Sequence, residues 1–320
     1  STYLGLSLGP VLGGLLTESF GWRSVFLVSL ILGAVLVAVV LAGLAAERAE
    51  AKGGGFDAVG ALLMAVGLAA LMFGLGRLPG FAGAAFVAAG AVFLVLFVRW
   101  ESGRPGPLFD LDLIRRNTAF AFSNLAALIN YSATFAVGFL LSLYLQYIKG
   151  LTPRRAGLIL IAQPVVMALF SPLAGRRSDR VEPRVLASWG MGFSSAGLFL
   201  LAFLGPDSSL AFVSASLVVL GFGFALFSSP NTNAVMSSVE RRSYGVASAT
   251  LGTMRLTGQM FSMGAAMLIF SLFLGKTAIT PEIFPKYLAA LRTAFLFFGA
   301  LCAAGVFVSH ARGNLKTPGA

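Results

Sequence analysis

Long apolar runs recur from one end of this chain to the other. Residues 24–46, 58–76 and 118–148 each carry no charged side chain. About 20 apolar residues cross a hydrocarbon core near 30 Å thick as a helix. Inside a bilayer every backbone N–H and C=O must be paired within the protein, which leaves helix bundles and closed barrels as the spanning solutions. The runs lack the alternation of barrel strands and are rich in Ala, Leu, Gly and Phe, which selects helices. Charged residues make up only 11% of the chain, against about 25% in a soluble domain. The expected fold class is all-α, a polytopic membrane protein in contact with the lipid bilayer along its whole length.

About ten spans follow: residues 1–16, 23–46, 57–77, 81–99, 117–148, 155–174, 185–204, 209–233, 244–274 and 287–309. An apolar span opening at residue 1, with no Met and no lead-in, reads as part of a longer protein. If residue 1 is cytoplasmic, the inner loops collect about fourteen Lys and Arg and the outer loops about seven. The inner set includes Arg48, Arg104, Arg115, Arg176, Arg180 and Arg241; the outer set includes Arg23, Arg77, Lys149 and Lys286. This positive-inside bias, with an even span count, puts both ends in the cytoplasm. It also accounts for the net charge of +11, so no nucleic-acid partner is expected.

The fifth span is too long. At about 1.5 Å per residue it would reach about 48 Å, so it must tilt, break or project outward. Asn124, Asn130, Tyr131, Tyr144 and Gln146 lie along it, which points to a helix wetted on one side. The segment 100–116, with its Gly, Pro and charges, is the clearest boundary and separates four spans from six. Lys52-Gly53-Gly54-Gly55 is a second join.

Four constellations carry chemistry. In Gly5-x-x-x-Gly9-Pro10-x-x-Gly13-Gly14, glycines four apart make a face against which another backbone can pack closely, and Pro10 removes a helical hydrogen bond. In Gly175-Arg-Arg-Ser-Asp179-Arg180-Val-Glu-Pro-Arg184, the Asp179 carboxylate among arginines can latch two helix ends; the loop is otherwise an ordinary positive-inside connection. Ser229-Pro230-Asn231-Thr232-Asn233 is followed by Gly252-Thr-Met-Arg255-Leu-Thr-Gly258-Gln259. Arg255 lies well inside an apolar span, where a charge costs at least about 2.5–3.5 kcal/mol, so it must face a cavity or a partner. That leaves a transport role or a structural bond to carbonyls, Gln259 or an acid elsewhere. Tyr144-Leu-Gln146 is followed by Gly150-Leu-Thr-Pro153, Gly157 and Gln163-Pro164, where a kinked helix either lines the cavity or satisfies its own amide. Candidate substrate-pathway residues are Asn124, Asn130, Tyr131, Gln146, Gln163, Asn231, Asn233, Arg255 and Gln259.

These motifs resemble those of the major facilitator superfamily. The Gly5–Gly14 segment is similar to the antiporter motif on the fifth helix of drug:proton antiporters. Gly21-Trp22-Arg23 and the segments around Pro230 and Arg255 are similar to the fourteen-span branch. Gly175–Arg184 resembles the superfamily's cytoplasmic gating loop (Gly175, Asp179, Arg180, Arg184), with Arg177 in place of the usual Leu and Glu182 in place of the usual second Gly. Gly150 to Gly157 matches the turn opening the second helix of the C-terminal half. The resemblance covers essentially the whole chain and implies the major facilitator fold without its first four helices. Residues 1–50 would be the last two helices of the N-terminal bundle and 51–100 two extra central helices. Residues 101–116 would be a cytoplasmic linker, and 117–320 the six-helix C-terminal bundle with a short cytoplasmic tail.

By resemblance the protein is a secondary active transporter of a prokaryotic inner membrane. It would export drugs or other amphipathic small molecules against protons by alternating access between pseudo-symmetric halves. The coupling acids of the family sit on the first and fourth helices, outside this chain, and no span here has a central Asp or Glu. Two alternatives stay open: a dedicated exporter of one metabolite, lipid or siderophore, and a transport-inactive fragment that pairs with a missing half. No metal-ligand spacing, nucleophile–base pair or phosphate-binding Gly-Lys-Ser/Thr loop is present, so neither cofactor, metal nor enzymatic activity is expected. Cys302 lies in the last apolar run and His310 at its boundary.

Overall fold

The computed structural model describes residues 2–43, 57–102, 111–178, 180–275 and 279–313, and within them all side chains but those of residues 2–8, 10, 11, 111, 112 and 242. Among the described residues every regular element is helical. In chain order these are α1 (Thr2–Phe20), α2 (Arg23–Gly43), α3 (Ala58–Leu75), α4 (Phe81–Glu101), α5 (Leu111–Arg116), α6 (Thr118–Thr134), α7 (Val137–Leu143), α8 (Pro153–Leu160), α9 (Ala162–Ser178), α10 (Pro183–Leu201), α11 (Leu210–Ser237), α12 (Tyr244–Leu274) and α13 (Phe284–His310). A π-turn, Tyr144–Ile148, extends α7. With α6 joined to α7 and α8 to α9, these helices coincide with the expected spans. Among the described residues, eight spans are long and apolar enough to cross a membrane. The 19-residue α1 and α10 lie outside that set, diluted by Ser, Thr and a charge. The short α5 folds inside the expected linker.

Helix starts follow local chemistry. Asp57 caps α3 through Gly60 N–H at 3.1 Å, Asn117 caps α6 through Phe120 N–H at 2.9 Å, and Ser209 caps α11 through Phe212 N–H at 3.1 Å. Pro153 and Pro183 stand at first-turn positions, where their missing N–H is no loss.

The overlong fifth span breaks. α6 ends at Thr134 and α7 begins at Val137, and Ser262 Oγ on α12 accepts the Ala136 N–H at 3.0 Å. A neighbouring hydroxyl thus satisfies a donor that the interrupted helix would expose. The span 153–178 is also divided, at Ile161. Pro164 has no N–H, so the Leu160 carbonyl loses its helical donor.

The densest packing lies in the C-terminal half. Phe120, Met191, Leu217, Phe227, Phe295 and Phe298 from α6, α10, α11 and α13 are each no more than 1% exposed. α10 lies between α11 and α13, α9 packs on α11, and α12 packs on α6. α3 and α4 form a hairpin so close that a Cβ on Gly74 would lie 2.6 Å from Val87 N, and one on Gly90 2.7 Å from Leu71 N. The hairpin closes on itself at its open end, where Trp100 Nε1 donates to Asp57 Oδ1 at 3.1 Å. It leans on α12 where Leu75 meets Gly264. α1 packs on α8 and α9, while α2 contributes no buried residue. The exposed Leu, Val and Phe side chains of α2 to α4 are the surface a bilayer would cover.

Candidate functional site

A cavity of about 1120 Å³ lies between α1 and the C-terminal helices. α1 contributes Gly13, Gly14 and Thr17. The broken span α6–α7 contributes Tyr131, Thr134, Gly138, Ser142 and, from the π-turn, Gln146. α8 and α9 contribute Pro153, Gly157, Gln163, Pro164 and Met167; α11 contributes Phe224, Ser228, Ser229, Thr232 and Asn233. α12 contributes Gly252, Arg255, Leu256 and Gln259.

The wall is mostly apolar with polar groups set at helical spacing. Arg255 Nη2 donates to Thr232 Oγ1 at 2.6 Å, and its guanidinium carbon stands 5.6 Å from the Tyr131 ring centroid. Tyr131 meets Phe224 edge to face, with centroids 5.3 Å apart. Gln146 Nε2 donates to Ser142 Oγ at 2.8 Å, and Asn233 Nδ2 donates to Ser178 Oγ at 2.7 Å.

Six of the nine expected pathway residues line this cavity: Tyr131, Gln146, Gln163, Asn233, Arg255 and Gln259. Asn124, Asn130 and Asn231 do not; they are buried between helices at 2%, 0% and 1% exposure. Asn124 Nδ2 donates to Phe120 O at 2.9 Å, Asn231 Nδ2 bridges to Ser123 O at 3.1 Å, and Asn130 Oδ1 lies 3.9 Å from Cys302 Sγ. The hydroxyls Thr17, Thr134, Ser142, Ser228 and Thr232 line the wall without having been singled out as pathway residues. Helical spacing carries their signal: Tyr131, Thr134, Gly138 and Ser142 fall on one face, as do Ser228 and Thr232 on α11. Asn130 and Asn231 sit one residue off those faces.

Of the Gly-Pro-Gly-Gly helix, Gly14 makes the close contact. A Cβ there would lie 2.7 Å from Pro153 O at the start of α8. Gly9 and Gly13 have nothing within 4 Å. The surroundings of Gly5 and Pro10 lie outside the described residues, and α1 is continuous through both. In the expected gating loop, Gly175 lies on α9 against Ser229 Oγ, Arg180 is exposed, and Arg184 is in the first turn of α10. Asp179 lies outside the described residues.

Beyond the end of α13, the Arg312 side chain is 1% exposed. Its Nε donates to Ser309 O at 2.8 Å, and its Nη1 reaches Ser123 Oγ at 3.4 Å on α6. Ser188 Oγ on α10 donates to Ser309 Oγ at 3.1 Å, so this group ties three helices together. Burial pulls the Arg312 pKa down to about 10, with Glu182 acting in the opposite direction.

A broken-helix bundle beside a large, largely apolar cavity has the shape and lining of a small-molecule site between helices. The Major Facilitator Superfamily profile matches residues 124–317. The chain belongs to that superfamily. It is 28% identical over 310 residues to a riboflavin transporter, RibZ, of Clostridioides difficile, covering 96% of this chain and 67% of that protein. It is 30% identical over 279 residues to the multidrug resistance protein Stp of Mycobacterium tuberculosis, covering 86% and 51%. It is 28% identical over 276 residues to the multidrug efflux pump LfrA of Mycolicibacterium smegmatis, covering 84% and 54%. The chain therefore spans between about half and two thirds of the length of these relatives. Superfamily membership and the helices make it a multi-pass membrane protein of a transporter superfamily.

Proposed function

We propose that this chain is the larger part of a proton-coupled exporter of drugs or other amphipathic small molecules, working by alternating access. The observation that carries the reading is the cavity of about 1120 Å³ between α1 and the C-terminal bundle, with an apolar wall and a few placed polar groups. That is the composition of a small-molecule site. Relatives named as multidrug efflux pumps support the same direction.

The fourteen-span reading draws support from the α3–α4 hairpin, which follows α2 in the sequence and packs chiefly on itself, and from the greater length of the relatives. On it, four further helices complete the N-terminal bundle and bring the acids that couple to protons. Both chain ends then face the cytoplasm, and Gly175, Asp179, Arg180 and Arg184 form the gating loop at that face.

A second reading, a dedicated exporter of one metabolite, is favoured by the relative named as a riboflavin transporter, which matches over 96% of this chain. One experiment separates the two. Inside-out vesicles holding the chain together with the preceding helices of its gene are loaded with a proton gradient and challenged with a panel of amphipathic drugs and with riboflavin. Gradient collapse with many compounds supports the first reading; a response to a single metabolite supports the second. No response to any compound counts against proton-coupled export.

A further inference from the structure

The cavity wall carries a cation without an anion opposite it. Among the described residues that line the cavity, Arg255 is the one charged side chain. Its guanidinium is held by a neutral hydroxyl, Thr232 Oγ1, at 2.6 Å, and its Nε is buried with no hydrogen-bond partner. A guanidinium has five N–H donors, and one hydroxyl cannot satisfy them. For a half-buried guanidinium with donors left over, an oxyanion forms the strongest forked, charge-assisted contact available. Beside it stand the faces and edges of Tyr131 and Phe224, an aromatic wall suited to a flat apolar body.

We propose that Arg255 is the docking cation for amphipathic organic anions: an aromatic body against Tyr131 and Phe224, with a carboxylate, sulfonate or phenolate oxygen on the guanidinium. This rests on the transport reading and narrows its cargo from drugs in general to anionic ones. Thr232 is then a positioning residue, holding the guanidinium where the anion arrives.

The test uses two dyes with the same xanthene ring system, anionic fluorescein and cationic pyronin Y. Their binding to the full chain in phosphatidylcholine nanodiscs is followed by fluorescence anisotropy. Fluorescein is expected to bind more tightly than pyronin Y. Arg255→Gln is expected to weaken fluorescein about tenfold or more while pyronin Y binds as well or better. Arg255→Lys keeps the charge but loses the fork, gives an intermediate loss, and decides the matter if the Gln variant does not fold. Absent fluorescein binding, or fluorescein binding unchanged in the Lys variant and in a folded Gln variant, overturns the proposal. Flux in vesicles that hold the chain together with the preceding helices of its gene separates it from the transport reading. A protein that moves pyronin Y but not fluorescein keeps the transport reading and sinks this one. A protein that binds fluorescein through Arg255 but moves neither dye sinks only the transport reading.

Discussion

Gly14 on α1 faces the carbonyl of Pro153 on α8 with no room for a methyl group: a Cβ would stand 2.7 Å from that oxygen and 3.1 Å from Arg154 Cα. Backbone atoms cannot swing aside as the tip of a long side chain can. Gly14→Ala is therefore expected to push α1 off α8 and to lower stability by about 1–3 kcal/mol, the range for overpacking. Gly13→Ala, with nothing within 4 Å, should not lower it. Paired thermal melts in detergent make the comparison; equal melting temperatures for the two variants would remove Gly14 as the contact point.

Ser262 holds the break in the long span open to use. Its hydroxyl takes the Ala136 N–H at 3.0 Å, and the site is fully buried. Ser262→Ala strands that donor, at a cost of about 1–3 kcal/mol. Hydrogen exchange should quicken at Ala136 and its neighbours, and the melting temperature should fall. If exchange there stays as slow as before, the break does not depend on the hydroxyl.

Two amides on the pathway list are expected to fail in opposite ways. Asn130→Ala removes a side chain at 0% exposure between helices and should lower thermal stability while the relative preference among substrates stays put. Gln259→Ala removes a cavity-wall amide and should change apparent substrate affinity with little change in melting temperature. Flux assays and melts on both variants, read together, distinguish wall from packing.

Arg312 gives a pH-dependent expectation. Its pKa of about 10 lies below the ordinary guanidinium value, so the unfolded chain holds the extra proton between the two. Its contribution to stability rises with pH only within that window. Arg312→Met leaves the Ser309 carbonyl and the Ser123 hydroxyl without their donor and should cost about 1–3 kcal/mol. The difference from the parent protein should be flat between about pH 6 and about pH 9. A difference that slopes across that range would place another titrating group in the Ser123–Ser309 cluster.

The helices were legible in the sequence because a membrane leaves the backbone few options. The excess length of residues 117–148 called for a tilt, a break or an outward projection, and the structure shows a break between Thr134 and Val137. The cavity was legible only in part. Polarity singled out Asn130 as well as Tyr131, and Asn231 but not Thr232, because polarity does not say which way a side chain points. Tyr131 and Thr232 are the ones on the wall, because a turn of 100° per residue carries an adjacent position to another face. Arg255 stood out because a charge in an apolar run must go somewhere wet or paired. The Arg312 cluster was not legible, since a basic residue past the last span reads as an ordinary inner-loop charge. Its partners are Ser309 at the end of α13 and Ser123 on the distant α6, with Ser188 on α10 bonded to Ser309.

The α3–α4 hairpin has one further consequence. Asp57 and Trp100 stand a single hydrogen bond apart, so the main chain enters and leaves this pair at one point. The first and last turns of the pair therefore meet, and its glycine-lined seam is completed without help from the bundle. Such a unit is spliceable: a gene could gain it or shed it as a cassette without redirecting the polypeptide on either side.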